Sequence, residues 1–326
     1  MIGIFDAVLR GVGGLTLLII IYRAILGIYR RLIARPKSPT SYGKWAIVTG
    51  STSGIGKEYA DYLAKKGMSL LIISRSAHKL EDQSKELAAH GVEVRYLSYD
   101  FTDVSATRET FYAALDKLLN ELDKDGGVGL LINNVGTANQ YPQSLVELTE
   151  EDCNGMINCN IHSTVFMTRA VIKYMSGKNK GAIISVSSGS GLVPSPYISV
   201  YSATKAFVTQ FTRSLHMEYH RSGIDVLVVM PLYVVSNLFR KDTGSLFWPM
   251  PIKLVEGTFA QLGKRFVWQG HGYWMHGVLS LATQYNPLGA MNTLKRMENH
   301  RAKYQKKLLK QQQQEQEKAT PRKKDQ

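Results

Sequence analysis

Short apolar runs alternate with longer amphipathic segments from residue 45 to residue 230, and this alternation narrows the possible folds more than any other feature of the chain. The apolar runs are rich in Ile, Val and Leu, which is typical of strands buried on both faces of a sheet. They cover residues 45–49, 69–74, 92–99, 130–133, 182–186 and 224–230. Helical segments between them cover residues 55–66, 77–89, 104–122, 150–175 and 201–220. This order predicts an α/β fold, in which a doubly wound parallel sheet is covered by helices on both sides.

Positive charge is concentrated at the two ends of the chain, whose formal net charge is +14 at pH 7. Residues 1–44 carry seven Lys and Arg against one acidic residue, and residues 295–326 carry eleven against four. The 250 residues between them are nearly neutral. A neutral domain with basic ends fits an anionic membrane surface or a solvated tail better than a nucleic-acid interface. We therefore expect no nucleic-acid partner.

An apolar segment near the N-terminus, residues 12–29, has 18 residues and is interrupted by Arg23. This length is near the lower limit for crossing a bilayer as a helix, and a basic cluster follows at residues 30–37. By the positive-inside rule we expect a membrane anchor with everything after residue 30 in the cytosol. An interfacial helix and a cleaved signal peptide are the alternatives. Residues 36–43 contain two prolines and several small polar residues, which predicts a linker. Residues 1–44 are therefore the predicted anchor and linker.

The part of the chain beyond Pro231 differs in composition from the alternating segments before it. Residues 239–248 and 266–288 are rich in aromatic side chains. They predict either a lid over an apolar substrate, a surface that dips into a membrane interface, or ordinary core and oligomer contacts. We therefore expect one domain over residues 45–294, followed by a basic tail at 295–326 that is a frayed helix or disordered. Cys153 and Cys159 predict reduced thiols, with no disulfide framework and no metal site.

Residues 49–56 read Thr-Gly-Ser-Thr-Ser-Gly-Ile-Gly, directly after the first predicted strand and at the start of the first helix. Glycines let the backbone turn sharply and approach a pyrophosphate, which the helix N-terminus favours electrostatically. A plain glycine-rich turn is the alternative interpretation, but the strand–turn–helix context favours a nucleotide site. The predicted cofactor contacts in this turn are Gly50, Ser51, Ser53, Gly54, Ile55 and Gly56.

The end of the second predicted strand reads Ile73-Ser74-Arg75-Ser76, with no acidic residue. An acid at this place binds ribose hydroxyls, whereas an arginine accommodates a 2′-phosphate, so Ser74 and Arg75 predict NADP(H). The alternative is that Arg75 is a solvated surface residue. Asp100 ends the third strand and can accept a hydrogen bond from an adenine amino group.

Tyr201 and Lys205 stand four residues apart in a predicted helix, so their side chains share a face. A nearby ammonium stabilises a phenolate and lowers a pKa that is otherwise near 10, which produces a proton donor for a developing alkoxide. Ser188 ends the fifth strand, thirteen residues before Tyr201, and its hydroxyl can hydrogen-bond a carbonyl. Asn160 lies within a predicted helix, where an amide is unusual unless it holds a water or a backbone group.

This ordered set of residues resembles the short-chain dehydrogenase/reductase family over about residues 45–240. The resemblance implies a Rossmann-like fold and a nicotinamide cofactor. It implies that Tyr201 is the proton donor and that Lys205 lowers its pKa while holding the nicotinamide ribose. It further implies that Ser188 polarises the carbonyl and that Asn160 holds a water in a proton relay.

The same resemblance implies that Asn134 helps to position the cofactor and that Val234 and Ser236 contact the nicotinamide amide. The chain departs from the family pattern at Pro231-Leu232, where the family often has Pro-Gly. Ser187 precedes Ser188, and only the thirteen-residue offset favours Ser188 as the catalytic serine.

The chain is also similar to the membrane-bound subfamily of 17β-hydroxysteroid dehydrogenases type 3 and type 12 and very-long-chain 3-oxoacyl-CoA reductases. Residues 73–75, 100–102, 133–136 and 201–207 carry this similarity, together with the N-terminal apolar segment. Lys323 and Lys324, near the extreme C-terminus, resemble a dilysine retrieval signal of the endoplasmic reticulum.

We therefore expect an NADPH-dependent reductase of a lipid-like ketone in the endoplasmic reticulum membrane, with its catalytic domain in the cytosol. A 3-oxoacyl-CoA of fatty-acid elongation is the expected substrate and a 17β-ketosteroid is the alternative. A non-catalytic membrane scaffold with the same fold is the alternative from another class. A homodimer would fit the family.

Overall fold

The computed structural model describes residues 2–33, 35–103, 107–235, 243–264, 267–286 and 289–319. Its strands are β1 (Trp45–Thr49), β2 (Ser69–Ser74), β3 (Val94–Ser98), β4 (Val128–Asn133), β5 (Gly181–Val186), β6 (Ile224–Val229) and β7 (Gln269–Gly270). Among these residues the strands form one parallel sheet in the order β3-β2-β1-β4-β5-β6-β7. The predicted doubly wound parallel sheet is confirmed.

Helices connect the strands and cover both faces of the sheet. They are α1 (Ile2–Ile33), α2 (Gly54–Lys65), α3 (Ala77–Ala88), α4 (Thr107–Lys124), α5 (Glu150–Ile157), α6 (Ser163–Ser176), α7 (Ser199–Tyr219), α8 (Pro251–Phe259), α9 (Trp274–Tyr285) and α10 (Gly289–Ala319). Short 3-10 turns lie at Pro39–Ser41, Leu145–Glu147 and Gly189–Gly191.

The central strands are buried on both sides, which explains their continuous apolar sequences. Successive strand residues point to opposite faces, so Ile72 packs with α2, α3 and α8, whereas Leu71 packs with α4, α6 and α7. Each fully buried side chain of this kind stabilises the fold by roughly 2 kcal/mol. β3 is different, because it is an edge strand and Tyr96 in its middle is 42% exposed. The expectation that every strand is buried on both faces is therefore wrong for β3.

The predicted helix over residues 150–175 is confirmed, since every residue from 150 to 176 is helical, but its geometry is not uniform. It divides into α5 and α6 around a π-helical turn, Asn158–His162, which shifts the register of the side chains by one residue. α5 begins at Thr149, whose side chain accepts a hydrogen bond from the Asp152 amide at 3.1 Å. The short strand β7 has no apolar run in the sequence and was not predicted.

The first and the last described segments are helical. α1 contains an 18-residue stretch, Arg10–Gly27, with mean hydropathy 1.5 and no side chain buried in the protein body, so it is long and apolar enough to cross a membrane. The predicted domain boundary at residue 295 stays a prediction, and it falls within α10, which begins at Gly289 and continues to Ala319. Of the two aromatic-rich segments, residues 239–242, 266 and 287–288 lie outside the described residues, as do residues 104–106 of the helix predicted over residues 104–122.

Candidate active site

A cavity of about 510 Å³ opens at the carboxyl ends of the parallel strands. It lies where the strand order reverses between β1 and β4, which is the usual place for a ligand in an open α/β sheet. The cavity is lined by Gly50, Thr52, Ser53, Gly54, Ile55, Ser74, Arg75, Ser76, Lys79, Tyr99, Asp100, Phe101, Thr102, Asn134, Val135, Gly136, Thr137, Cys159, Val186, Ser187, Ser188, Tyr201, Lys205, Pro231, Leu232 and Val234.

The turn between β1 and α2 is held close to the end of β4. Gly50 has φ +64°, and a Cβ placed on it would lie 2.9 Å from the Cα of Val135. Asn134 donates from Nδ2 to the carbonyl oxygens of Thr49, at 3.0 Å, and Gly50, at 3.2 Å. The Thr49 hydroxyl accepts from the backbone amides of Asn134 and Val135. This turn therefore needs glycine both for its backbone conformation and for its close packing.

Two of the predicted cofactor residues in this turn do not line the cavity. The buried Ser51 hydroxyl donates to Gln83 Oε1 at 3.0 Å, and Gln83 Nε2 donates to the Ser51 carbonyl at 2.7 Å. Gly56 packs against the turn, since a Cβ there would lie 2.1 Å from the Gly50 carbonyl oxygen. Both residues shape the turn from behind and are absent from the cavity lining, and their direct contact with the cofactor stays a prediction.

The end of β2 contributes two cationic side chains to the cavity wall. Arg75 follows the strand and Lys79 lies in the first turn of α3, four residues later. The Ser74 and Thr52 hydroxyls are 2.9 Å apart and lie at the same wall. Sequence analysis missed Thr52 and Lys79, although a cation four residues after Arg75 is a signal that could have identified Lys79.

Asp100 also lines the cavity, beyond the end of β3. Its Oδ1 accepts from the backbone amide of Thr102 at 2.9 Å and from the Thr102 hydroxyl at 2.7 Å. The carboxylate is therefore fixed by the turn that follows it.

Tyr201 and Lys205 face the cavity together from the N-terminal part of α7. The Lys205 ammonium lies 5.9 Å from the centre of the Tyr201 ring and donates to the Val186 carbonyl at 3.0 Å. Burial lowers the pKa of Lys205 to about 8. Burial raises the pKa of Tyr201, and a hydrogen bond with Ser188 partly offsets this increase.

The expected lowering of the Tyr201 pKa by Lys205 is therefore not met in this structure. Enclosure of the phenol is the dominant effect, and the ammonium is directed to a backbone carbonyl. The two side chains nevertheless share one helical face and one cavity, as their spacing predicts.

The two adjacent serines after β5 have different surroundings. Ser187 is buried, and its hydroxyl donates to the Lys205 carbonyl at 2.7 Å, which anchors α7 to the sheet. Ser188 lines the cavity, its interaction with Tyr201 partly offsets the increase in the pKa of the phenol, and its hydroxyl accepts from the amide and hydroxyl of Ser190. The contact with Tyr201 supports the choice of Ser188 over Ser187.

Asn160 lies in the π-helical turn and does not line the cavity. Its Oδ1 accepts from the Thr137 amide at 2.8 Å, while its Nδ2 donates to the Thr137 carbonyl at 2.9 Å and to the Thr204 hydroxyl at 2.8 Å. A Cβ on Gly136 would lie 3.0 Å from Asn160 Oδ1 and 3.2 Å from Lys205 Nζ. Asn160 thus fixes the loop after β4 beside Lys205, and no pattern in the sequence indicated its partner Thr137.

The loop after β6 forms the last wall, with Pro231, Leu232 and Val234. Its backbone is held by His276 of α9, whose side chain is 0% exposed. His276 Nδ1 accepts from the Leu232 amide at 3.3 Å, and Nε2 lies 3.1 Å from the Tyr233 carbonyl, to which it donates. Burial lowers the pKa of His276 to about 4, so the ring stays neutral, as an accepting Nδ1 requires.

His276 fixes the backbone at Leu232 and Tyr233, where the chain departs from Pro-Gly, and the sequence analysis did not identify it. Ser236, the other residue expected to contact the nicotinamide amide, lies outside the described residues.

The cavity fits a dinucleotide cofactor. Closely packed glycine backbone at the start of α2 can approach a pyrophosphate, and the two cations lie at the wall formed by β2. Within the described part of the chain, no group of three or more His, Cys, Asp and Glu side chains could hold a metal ion.

Comparison with known proteins agrees with this geometry. The family profile of the short chain dehydrogenases matches residues 44–244. The very-long-chain 3-oxoacyl-CoA reductase-B of Danio rerio is 38% identical over 247 residues, which cover 75% of this chain and 76% of that protein. The inactive hydroxysteroid dehydrogenase-like protein 1 of Homo sapiens is 35% identical over 260 residues, which cover 79% of this chain and 76% of that protein.

A solved structure of a short-chain dehydrogenase from Sphingobium yanoikuyae, in complex with NADPH, has a TM-score of 0.57 and 28% identity and covers 65% of this chain and 81% of that chain. The profile spans β1 to β6, the glycine-rich turn and the Tyr201–Lys205 pair. The chain therefore belongs to the short-chain dehydrogenase/reductase family, the oxidoreductases that act on CH–OH and C=O groups with a nicotinamide cofactor.

Proposed function

We propose that this protein is an NADPH-dependent reductase of a lipid-like ketone, and that its substrate is a very-long-chain 3-oxoacyl-CoA. The observation that carries the proposal is the convergence of Tyr201, Lys205 and Ser188 on the same cavity as the glycine-rich turn. A carbonyl beside these three side chains would meet a proton donor, a second hydroxyl and an ammonium at once.

Each of the three side chains has a separate role in this proposal. When bound, NADPH supplies the hydride. The Tyr201 phenol donates its proton to the carbonyl oxygen, and its raised pKa keeps it protonated at neutral pH. Ser188 donates a hydrogen bond to the same oxygen as negative charge develops there. Lys205 provides positive charge beside the phenol below its pKa of about 8.

Asn160 acts as a positioning residue in this proposal. It holds the Thr137 backbone and the Thr204 hydroxyl, so it keeps the β4 loop and α7 in register around Lys205. Asn134 has the equivalent effect on the glycine-rich turn. We also propose that Asn160 holds a water molecule that takes part in a proton relay.

The choice of NADP(H) over NAD(H) rests on charge at the end of β2. Arg75 and Lys79 line the cavity there, and Ser74 adds a hydroxyl. Two cations suit a 2′-phosphate, which an acidic residue in the same place would repel. The NADPH bound to the 28% identical structure from Sphingobium yanoikuyae supports this choice.

The acyl-CoA substrate is supported by the names of relatives. Proteins 38% identical to this chain from Danio rerio and Homo sapiens are very-long-chain 3-oxoacyl-CoA reductases. A 17β-ketosteroid is the alternative of the same chemical type, since it is also apolar and carries a ketone. We further propose that α1 anchors the protein in the endoplasmic reticulum membrane with the catalytic domain in the cytosol, and that Lys323 and Lys324, which lie outside the described residues, form a retrieval signal.

A non-catalytic scaffold of the same fold is the second candidate, because an inactive hydroxysteroid dehydrogenase-like protein is 35% identical to this chain. The arrangement of Tyr201, Lys205 and Ser188 weighs against it, since a scaffold does not need a phenol, an ammonium and a hydroxyl in one cleft.

The deciding experiment measures NADPH oxidation by the purified full chain in neutral detergent. The substrates are long-chain 3-oxoacyl-CoAs and 17β-ketosteroids, and the matched control is Tyr201→Phe, which removes only the phenolic oxygen. We expect turnover of the acyl-CoAs, a loss of about a thousandfold in kcat in the variant, and unchanged NADPH binding. Turnover of ketosteroids alone would select the alternative substrate, and no turnover with either class would favour the scaffold.

A further inference from the structure

One face of α10 is strongly basic and carries no acidic side chain over three turns. Its members recur at helical spacing: Asn292, Lys295, Arg296, Asn299, His300 and Lys303, which together line a shallow groove. The three cations of this basic face, Lys295, Arg296 and Lys303, are exposed. Within the described part of the chain none of the three forms an ion pair, so their charge is available to an anionic ligand.

α10 is attached to the loops on the substrate side of the cavity. Arg301 donates to Glu147 Oε1 at 2.6 Å, and its guanidinium lies 5.0 Å from the centre of the Tyr197 ring. Tyr304 stacks on Tyr141 with the ring centres 4.2 Å apart. These partners belong to the segments that follow β4 and β5, which also supply cavity residues. These contacts hold α10 against loops that supply cavity residues.

A second contact connects the basic face to the loop after β6. The Arg296 guanidinium lies 5.8 Å from the centre of the Tyr233 ring. Tyr233 stands between Leu232 and Val234, both of which line the cavity, and its ring stacks on Trp248 at 4.5 Å. Tyr233 thus adjoins both the residues that line the reaction cavity and Arg296 of the groove.

We propose that this basic face of α10 binds the phosphate groups of the coenzyme A part of an acyl-CoA substrate. This proposal rests on the proposed function and specifies how its substrate is recognised. Coenzyme A carries a diphosphate and a 3′-phosphate, about four negative charges in all, at the end of a long pantetheine arm. The 3-oxo group of the acyl chain would lie in the cavity beside Tyr201, while the pantetheine arm leads past Tyr233 to the groove.

Three cations, an imidazole and two amides match such a ligand in charge and in hydrogen-bond donors. Lysine and arginine bind phosphate oxygens through charge-assisted hydrogen bonds, and asparagine amides add neutral donors. A steroid has no phosphate, so an occupied groove would also favour the acyl-CoA substrate over the ketosteroid.

The test compares two thioesters of the same 3-oxoacyl group, one on coenzyme A and one on pantetheine, which lacks the diphosphate and the 3′-phosphate. The full chain in neutral detergent is measured as the parent and as Lys295→Gln/Arg296→Gln/Lys303→Gln. We expect the KM for the CoA thioester to rise about tenfold, with kcat and the pantetheine thioester unchanged. A Lys295→Gln/Lys303→Gln double variant, which keeps the Arg296–Tyr233 contact, should show the same effect to a smaller extent.

A matched control is available on the same helix. Lys306→Gln/Lys307→Gln/Lys310→Gln removes three exposed positive charges whose centre lies about 15 Å farther along α10, at 1.5 Å per residue. It should leave both KM values unchanged. If both triple variants raise the KM for the CoA thioester equally, or if the near triple variant affects both thioesters alike, the proposed site is wrong.

Two further outcomes separate this proposal from its alternatives. Equal weakening of binding to phosphatidylserine vesicles by the two triple variants, with unchanged KM values, would make α10 a membrane-surface element and would overturn the proposal. If the parent reduces neither thioester, the proposed function fails, and calorimetry with adenosine 3′,5′-bisphosphate in saturating NADPH still tests the groove. Equal affinity of the parent and the near triple variant for this ligand would then refute the site independently of activity.

Discussion

His276 should make the stability of this protein depend on pH between about 4 and 6.5, and the effect can be calculated from its environment. The folded protein holds the ring neutral with a pKa of about 4, whereas the ordinary value is 6.5. The unfolded chain therefore binds an extra proton in this window, and stability is lost as the pH falls through it. From these two pKa values the loss is about 2 kcal/mol at pH 5.0 relative to pH 7.5.

The substitution His276→Gln tests this reasoning because an amide can donate and accept but does not titrate. The variant is expected to be less stable than the parent at pH 7.5, since the Leu232 amide and the Tyr233 carbonyl lose well-placed partners. That difference should shrink by about 2 kcal/mol at pH 5.0, because only the parent loses the contribution of a neutral His276.

The assay is urea unfolding of the full chain in neutral detergent, followed by tryptophan fluorescence, to which Trp45 in β1 contributes from a buried site (1% exposed). Ser280→Ala is the matched control, because Ser280 is buried on the same helix and has no proton to exchange in this range. Its effect on the free energy of unfolding should be the same at both pH values. If the difference in the free energy of unfolding between the parent and His276→Gln does not change between pH 7.5 and 5.0, His276 is not held as a buried neutral ring.

Three further predictions concern the cofactor cavity. Arg75→Asp should weaken NADPH binding at least tenfold more than NADH binding, and Lys79→Gln should do so to a lesser extent; equal effects on both cofactors in a fluorescence titration would contradict the 2′-phosphate assignment. For ketone reduction, kcat/KM should fall as the pH rises through about 8, where Lys205 loses its proton, and a flat profile to pH 9.5 would exclude this role. Gly50→Ala should lower the free energy of unfolding by about 1–3 kcal/mol and weaken NADPH binding, because φ is +64° and the new methyl group would lie too close to Val135. Thermal unfolding without NADPH measures the first effect, and the increase in unfolding temperature on adding NADPH measures the second.

The sequence by itself determined the architecture and the centre of the site. Alternating apolar and amphipathic segments are sufficient to specify a parallel sheet, since a strand buried on both faces must be apolar throughout. The spacing of Tyr201 and Lys205 places them on one helical face, because four residues are close to one turn. Arg75 and the glycine-rich turn identify the cofactor region in the same way. Each lies directly after a strand, so the neighbouring residues in the sequence determine where it stands.

Only the tertiary structure decided which of these groups reach the cavity and what their surroundings do to them. Ser51 turns away to Gln83, which is 32 residues distant in the sequence, and Asn160 is satisfied by Thr137 and Thr204.

The pKa values of Tyr201, Lys205 and His276 likewise follow from burial, and burial depends on elements that meet only after folding. The return of α10 to the substrate loops is a contact of the same kind, since Arg301 meets Glu147 across 154 residues of chain. A local pattern contains no information about partners so far away, so these features required the folded chain.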